Sequence, residues 1–558
     1  MPGGGTRVHL SRRRLIAASA LGLVPFRLAG QALAAGSTRT GPGHVRIDAG
    51  VAVSLNPTGT LTPISPFIYG ANEAGIVNGV PSATLDAANG VTARRLGGNR
   101  LTGYNWTNNF SNAGTDYLNE SDNYLPSNLG VAADQWLTPA SVITTFHDRN
   151  LAIGSRSLVT LQMAGYVSAD GSGVVTAGQV APSSRWQPIS YQAVTAPPGA
   201  VCMDEFVAYM VQHYGAAGSA QGIQAFQLDN EPALWPDTHP LLHPAALTYG
   251  ELFTRSVAAA QIVKRLDPTA EVSGPVSFGF SELYNLQNAA DAGSYAQYGT
   301  FVGAYLATMQ QASAQFGARL LDTFDFHWYP ETNAGGLAFG SDPSVLDARL
   351  QAPRSLWDAS YVEPSWIGQY YGPDSGLPLR LPLLPVLQSL IDQYFPGTGI
   401  AITEYNYGDT SYGPTGLAIA DLLGVLGAHG VHAAHHWGLI ADYVAAAFQL
   451  YRNYDGAGGS FGAWRVPAQN ADASQLSAWA AADTQTGGTL HLVLVNKTAQ
   501  SLPVPVSIGG GRAYARCDGY GFDTNSAAIT HGVVAQPITG NSFTASVPAY
   551  SAWHYVIQ

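Results

Sequence analysis

Ile223-Gln224-Ala225-Phe226-Gln227-Leu228-Asp229-Asn230-Glu231-Pro232 is the stretch on which the fold turns. Apolar residues carry it to Leu228, and then come two acids and a proline. Burying such a strand is favourable, but ending it on carboxylates has no packing benefit. Downstream, Gly250–Leu266 has helical periodicity and is stopped by Asp267-Pro268, and Glu271–Phe278 is apolar again. Strand, helix, strand is the repeating unit of a parallel sheet.

The alternation extends both ways. Strands are predicted at Phe67–Asn72, Thr92–Gly98, Ser157–Tyr166, Ile223–Asn230, Glu271–Phe278, Thr323–Tyr329, Ile400–Tyr405 and Val431–Trp437. Helices are predicted at Asp204–Tyr214, Leu381–Tyr394 and Leu417–Leu426 as well. Eight strand–helix units read as an α/β protein with a (β/α)₈ TIM barrel, spanning residues 64–468. Long insertions follow the second strand (to about residue 140), the third (169–200) and the sixth (331–380). All lie on the side where such barrels build their sites. From 469 to 558 the pattern becomes short alternating runs, at Leu490–Asn496, Val504–Ile508, Ala513–Tyr520, Ser542–Val547 and Ala552–Ile557. These read as an all-β sandwich, and the N-terminal strands within 45–63 are expected to join it.

Residues 1–34 read as an export signal. Ser11-Arg12-Arg13-Arg14-Leu15-Ile16 opens a short apolar stretch that ends at Ala32-Leu33-Ala34, and the paired arginines resemble a twin-arginine leader. A secreted or periplasmic bacterial protein is expected. The formal charge is −12; residues 1–34 hold five arginines and no acid, so the remainder has 20 basic and 37 acidic residues and a net charge of −17. That surface excludes nucleic acid and anionic membranes as partners. A neutral substrate fits, and 28 Tyr and 11 Trp offer faces for sugar rings. A monomer is expected. Cys202 and Cys517 cannot form a disulfide scaffold or a Cys-rich metal site.

The seventh predicted strand, Ile400-Ala401-Ile402-Thr403-Glu404-Tyr405, also ends on a carboxylate. The fourth and seventh strands lie across a barrel mouth, so Glu231 and Glu404 can flank one bond. Glycoside hydrolysis needs that arrangement: one acid protonates the leaving oxygen and a second carboxylate attacks the anomeric carbon. Their environments must differ, since one holds a proton and the other does not. Around them, Asn230 could hold a sugar hydroxyl, Tyr329 could donate to Glu404, Arg95 could orient the nucleophile, and His327 lies at the same strand end. Trp106, Trp186, Trp235, Trp328 and Trp437 are candidate sugar-stacking platforms, Trp437 foremost. His239, His243, His432, His435 and His436 suggest metal binding by number alone, and the adjacent pair 435–436 points to opposite faces of a strand.

Leu228-Asp229-Asn230-Glu231-Pro232-Ala233-Leu234-Trp235 with Thr238-His239-Pro240 closely resembles the acid/base segment of glycoside hydrolase family 44. Ile402-Thr403-Glu404-Tyr405-Asn406-Tyr407-Gly408 resembles its nucleophile segment. Arg354-Ser355-Leu356-Trp357-Asp358, Ala447-Phe448 with Tyr451–Gly456, Arg95-Leu96-Gly97-Gly98-Asn99 and Tyr104-Asn105-Trp106 also follow the family pattern, over about residues 64–465. The resemblance implies a barrel plus β-sandwich and a retaining endo-β-1,4-glucanase, often active on xyloglucan. It implies Glu231 as acid/base and Glu404 as nucleophile. Arg95, Asn99, Tyr104, Trp106, Asn230, Trp235, His327, Trp328, Tyr329 and Trp437 are then expected to bind a β-glucan or xyloglucan. No cofactor is required; a structural calcium or other metal is left open. Leu96 stands where the family pattern has Trp, which bears on substrate preference. The rival readings are a retaining barrel glycosidase for xylan or mannan, and a non-catalytic carbohydrate-binding protein.

Overall fold

Each of the eight apolar runs forms a strand in the computed structural model, which describes residues 51–558 apart from Asn288. The expected leader at 1–34 and residues 45–50 of the expected N-terminal strands lie outside the described residues. The strands are β1 (Gly70–Asn72), β2 (Ala93–Leu96), β3 (Arg156–Leu161), β4 (Ala225–Leu228), β5 (Glu271–Ser277), β6 (Thr323–Trp328), β7 (Gly399–Tyr405) and β8 (Ala433–His436). They close into a barrel in the order β4-β5-β6-β7-β8-β1-β2-β3, each pair parallel. A helix follows each strand: α1 (Ser82–Ala88), α2 (Ser141–Ala152), α3 (Met203–Tyr214), α4 (Tyr249–Leu266), α5 (Phe301–Phe316), α6 (Leu383–Tyr394), α7 (Gly413–Ala428) and α8 (Asp442–Arg452). Thr248 and Thr300 cap α4 and α5, accepting hydrogen bonds from Glu251 N and Gly303 N.

Seven of the eight strands are shorter than predicted, and in two of them a local reason is visible. β1 starts late because Pro66–Ile68 forms a 3₁₀ turn, with Pro66 at its start and the Ser65 hydroxyl accepting from Phe67 N at 3.2 Å. β3 stops at Leu161 because the chain then turns to aim Met163 N and Ala164 N at the Asp229 carboxylate.

The sandwich comprises two sheets. One orders Ala468–Asn470, Val53–Leu55, Leu502–Ile508 and Ser542–Val547; the other has seven strands, from Thr62–Pro63 to Ser526–Pro537. Val53–Leu55 pairs antiparallel with Ala468–Asn470 and parallel with Val506–Ile508, so the start of the described chain completes a sheet built mainly from its end. In Gly487–Asn496, Leu490, Leu492 and Leu494 enter the sandwich core while Val493 and Val495 pack against the barrel's apolar cluster. The run expected to alternate is instead apolar on both faces, because the two-residue period buries one face in each cluster. The opposing barrel element is α7, buried from Gly413 to Gly427. A Cβ at Gly424 would fall 2.1 Å from the Trp479 ring, so only glycine admits that ring. Trp479 Nε1 donates to Asp421 Oδ1 (2.8 Å), and Lys497 Nζ lies 2.7 Å from Asp421 Oδ2, with both charged side chains fully buried. Cys202 and Cys517 are both free and buried.

Candidate active site

The turn after β4 is strained. Asp229 (φ 63°) and Glu231 (φ 44°, ψ 57°) both take the left-handed conformation that L-residues avoid. Neighbours hold it there. Asp229 accepts from the Thr102 hydroxyl (2.6 Å), Met163 N (2.5 Å), Ala164 N (3.2 Å) and Asn230 N (2.8 Å). Burial still dominates and pushes its carboxyl up to about 6. Trp235 Nε1 donates to the Asn230 carbonyl (3.1 Å). Glu231 N donates to the Val276 carbonyl (3.0 Å), where β5 bulges against β6 and Val276 itself has φ 67°. A β-branched residue there is a true outlier. The result aims the Glu231 side chain into the barrel mouth.

Glu404, near the end of β7, is gripped on both oxygens. Arg95 Nη1 donates to Oε1 (2.8 Å) and the Tyr329 hydroxyl to Oε2 (2.6 Å). Arg95 is fully buried and also donates to Gln227 Oε1 (2.7 Å), Asn72 Oδ1 (2.9 Å) and Asn230 Oδ1 (2.7 Å). Beneath it, Asp325 accepts from Gln227, Ser273 and Thr403, so the barrel interior is a polar network under the mouth. Burial pushes the Glu404 carboxyl up. The charges at His327 and Arg95 and the bonds from Tyr329 and Arg95 outweigh that and bring it below the usual carboxylate range.

His327 links the two acids. Its Nδ1 lies 2.7 Å from Glu231 Oε1 and 3.5 Å from Glu404 Oε2, while Nε2 is buried without a partner. One ligand atom each of Glu231, His327 and Glu404 lie within 4.8 Å of one another. The Glu231 side chain is 14% exposed and that of Glu404 7%, so Glu231 is the more open of the pair. Among the described residues these three form the one grouping with metal-ligand spacing. The donor set does not suit a cation, because Arg95 and Tyr329 already take both oxygens of Glu404. The histidines expected by number to suggest a metal do not join it.

The structure brings Arg95, Asn99, Asn230, His327, Tyr329 and Trp437 to this mouth. Asn230 Nδ2 donates to Asn99 Oδ1 (2.9 Å), which locks the Asn230 amide between Asn99 and Arg95. Trp437 is half-buried, and Gly98 (φ 88°) makes room for it: a Cβ there would fall 2.7 Å from the ring.

Four expected substrate contacts are packing residues instead. Tyr104 is fully buried and its hydroxyl donates to Asn109 (2.7 Å). Trp106 packs on Phe206 and Tyr209 of α3. Trp235 is fully buried under the turn it holds, and Trp328 is 2% exposed, so neither offers a face to a sugar. Trp186, another candidate platform, is also buried and donates to the Gln179 carbonyl. Leu96 is buried in the barrel core, so the departure from the family pattern falls at a packing position. Asn72, Gln227, Asp325, Thr403 and Asn406 escape the sequence reading. The available signal is polar residues at alternate positions inside apolar strands, as in Asp325 and His327.

The sequence profile of glycoside hydrolase family 44 matches residues 110–332. Endoglucanase A of Paenibacillus lautus is 41% identical over 546 residues, covering 94% of this chain and 76% of that protein. A family 44 endoglucanase structure from Clostridium thermocellum is 43% identical with a TM-score of 0.85, covering 91% of this chain and all of that one. The Paenibacillus polymyxa family 44 xyloglucanase solved with xyloglucan is 40% identical, with a TM-score of 0.85, covering 91% and 99%.

Proposed function

The chain belongs to glycoside hydrolase family 44, and we propose that it is an exported, retaining endo-β-1,4-glucanase that cuts β-1,4-glucan backbones, of the cellulose type, xyloglucan or both. The relatives above, an endoglucanase and a xyloglucanase, support the substrate class. The leader-like residues 1–34 support export. No helix among the described residues is long and apolar enough to cross a membrane.

The observation that carries the mechanism is the pairing of Glu231 with Glu404, with an oxygen of each within 4.8 Å of the other. Retaining enzymes hold their two carboxyls about 5–5.5 Å apart, and inverting ones about 6.5–9.5 Å to admit a water. The short spacing supports double displacement. Glu404, kept ionised by Arg95, Tyr329 and His327, attacks the anomeric carbon. Glu231, the more open acid, protonates the glycosidic oxygen, and the aglycone leaves. A glycosyl ester on Glu404 remains. Glu231 then takes a proton from water, the water attacks the same carbon, and Glu404 is released with the anomeric configuration kept. Trp437 supplies an aromatic face for the sugar at the cleavage point.

A polysaccharide panel with product sizing tests this reading. Rapid shortening of soluble β-1,4-glucan or xyloglucan into mixed oligosaccharides is expected. Release of single sugars from chain ends, or activity confined to mannan or xylan, would overturn it.

A further inference from the structure

Glu282 is a buried carboxyl that the reaction above leaves unused. It sits on the short helix Phe280–Tyr284 beyond β5 and is fully buried. Its Oε2 accepts the Phe278 N–H at 2.9 Å. Phe278 directly follows the β5 bulge, where Val276 at φ 67° turns its carbonyl to the Glu231 N–H. Glu282 Oε1 is buried with no full hydrogen bond, and the Ser277 hydroxyl is its polar neighbour. The groups that face it are Glu231 from the β4 end, Ser277 of β5 and Tyr249 of α4. Burial, with the Glu231 charge adding to it, raises the Glu282 pKa from 4.5 to about 8. A carboxyl so placed is an uncharged acid at neutral pH, with one oxygen for Phe278 N–H and one hydroxyl for Ser277.

We propose that Glu282 is a positioning residue for Glu231: accepting from Phe278 N–H, it fixes the Pro275–Ser277 bulge and, through the Val276 carbonyl, the angle from which Glu231 reaches the glycosidic oxygen. The inference rests on the reading of Glu231 as acid/base. It also gives the strained Val276 backbone a role. Glutamine reproduces the uncharged shape, with a carbonyl for Phe278 and an amide for Ser277. Alanine does not.

The test compares the unchanged protein with Glu282→Gln, Glu282→Ala and Glu231→Ala on soluble β-glucan and on a dinitrophenyl β-cellobioside, whose leaving group needs no acid. Glu231→Ala should lose the polymer reaction selectively. Glu282→Ala should show the same selectivity more weakly, with kcat down at least about tenfold on polymer, less than about threefold on the activated glycoside, and KM within about twofold. Glu282→Gln should stay within about threefold of the unchanged protein on polymer. Equal slowing of both substrates by Glu282→Ala, or no slowing, overturns the inference while leaving Glu231 in place. A loss in Glu282→Gln as large as in Glu282→Ala overturns it too. If Glu231→Ala shows no selectivity, the reading of Glu231 falls, and this inference with it. Should Glu282→Ala not fold, the pH profile of Glu282→Gln decides. The unchanged protein should lose polymer activity above about pH 8, where Glu282 ionises, and the variant should keep it. Superimposed profiles overturn the inference.

Discussion

Glu404 is held by Arg95, His327 and the Tyr329 hydroxyl, and the proposed reaction uses its oxygen as a nucleophile. Glu404→Gln keeps the shape and removes the nucleophile, so kcat should fall at least about a thousandfold with the fold intact by circular dichroism. Glu282 gives a different readout, in stability. Its folded pKa of about 8 lies above its ordinary 4.5, so its stabilising contribution is complete below pH 4.5 and is lost as pH rises to about 8. Glu282→Gln does not titrate. Measured against the unchanged protein, its Tm should rise relative to it between pH 5 and 8; a constant difference would contradict a neutral buried acid. The carboxylates were legible in the sequence because each interrupts an apolar strand. Their partners were less so. Asn72 and Gln227 reach Arg95 from other strands, and such convergence depends on barrel closure. The aromatics misled: Trp235 follows Glu231 and Trp328 follows His327 in sequence, yet both are buried behind the site.

At the level of elements, the eight strands were legible because period and length agree with burial on both faces. Their ends were not. β3 stops where its chain must cap Asp229, a demand set by a residue of the next strand. The same limit applies to α7. Helix propensity alone favours Ala over Gly by about 1 kcal/mol in a helix interior. At Gly424, however, the added methyl would fall 2.1 Å from Trp479 Cδ1. Gly424→Ala should therefore destabilise the protein, by about 1–3 kcal/mol for overpacking, in urea unfolding. A gain in stability would show that Trp479 is free to move.

For the whole molecule, barrel and sandwich share one apolar seam, closed at Asp421, Trp479 and Lys497. The chain has only two lysines, and one lies in this seam. Lys497→Met leaves the Asp421 carboxylate buried and uncompensated, and should cost about 3–5 kcal/mol. Urea unfolding by Trp fluorescence reads that loss, and a change under about 1 kcal/mol would mean water reaches the seam. The two-part architecture was legible in the switch of period near residue 470. The dependence of one part on the other was not, because it rests on the far face of Gly487–Asn496. The acidic balance also takes on meaning at this scale: a neutral polymer needs no basic groove, and the network at the mouth spends its one buried Arg on Glu404 and its neighbours.

The most direct test of the central assignment is covalent trapping. Incubation with a 2-fluoro cellobioside bearing a dinitrophenyl leaving group, followed by peptide mass mapping, should place one cellobiosyl adduct on Glu404. An adduct on another residue, or none under conditions where the activated glycoside is turned over, would contradict Glu404 as the nucleophile.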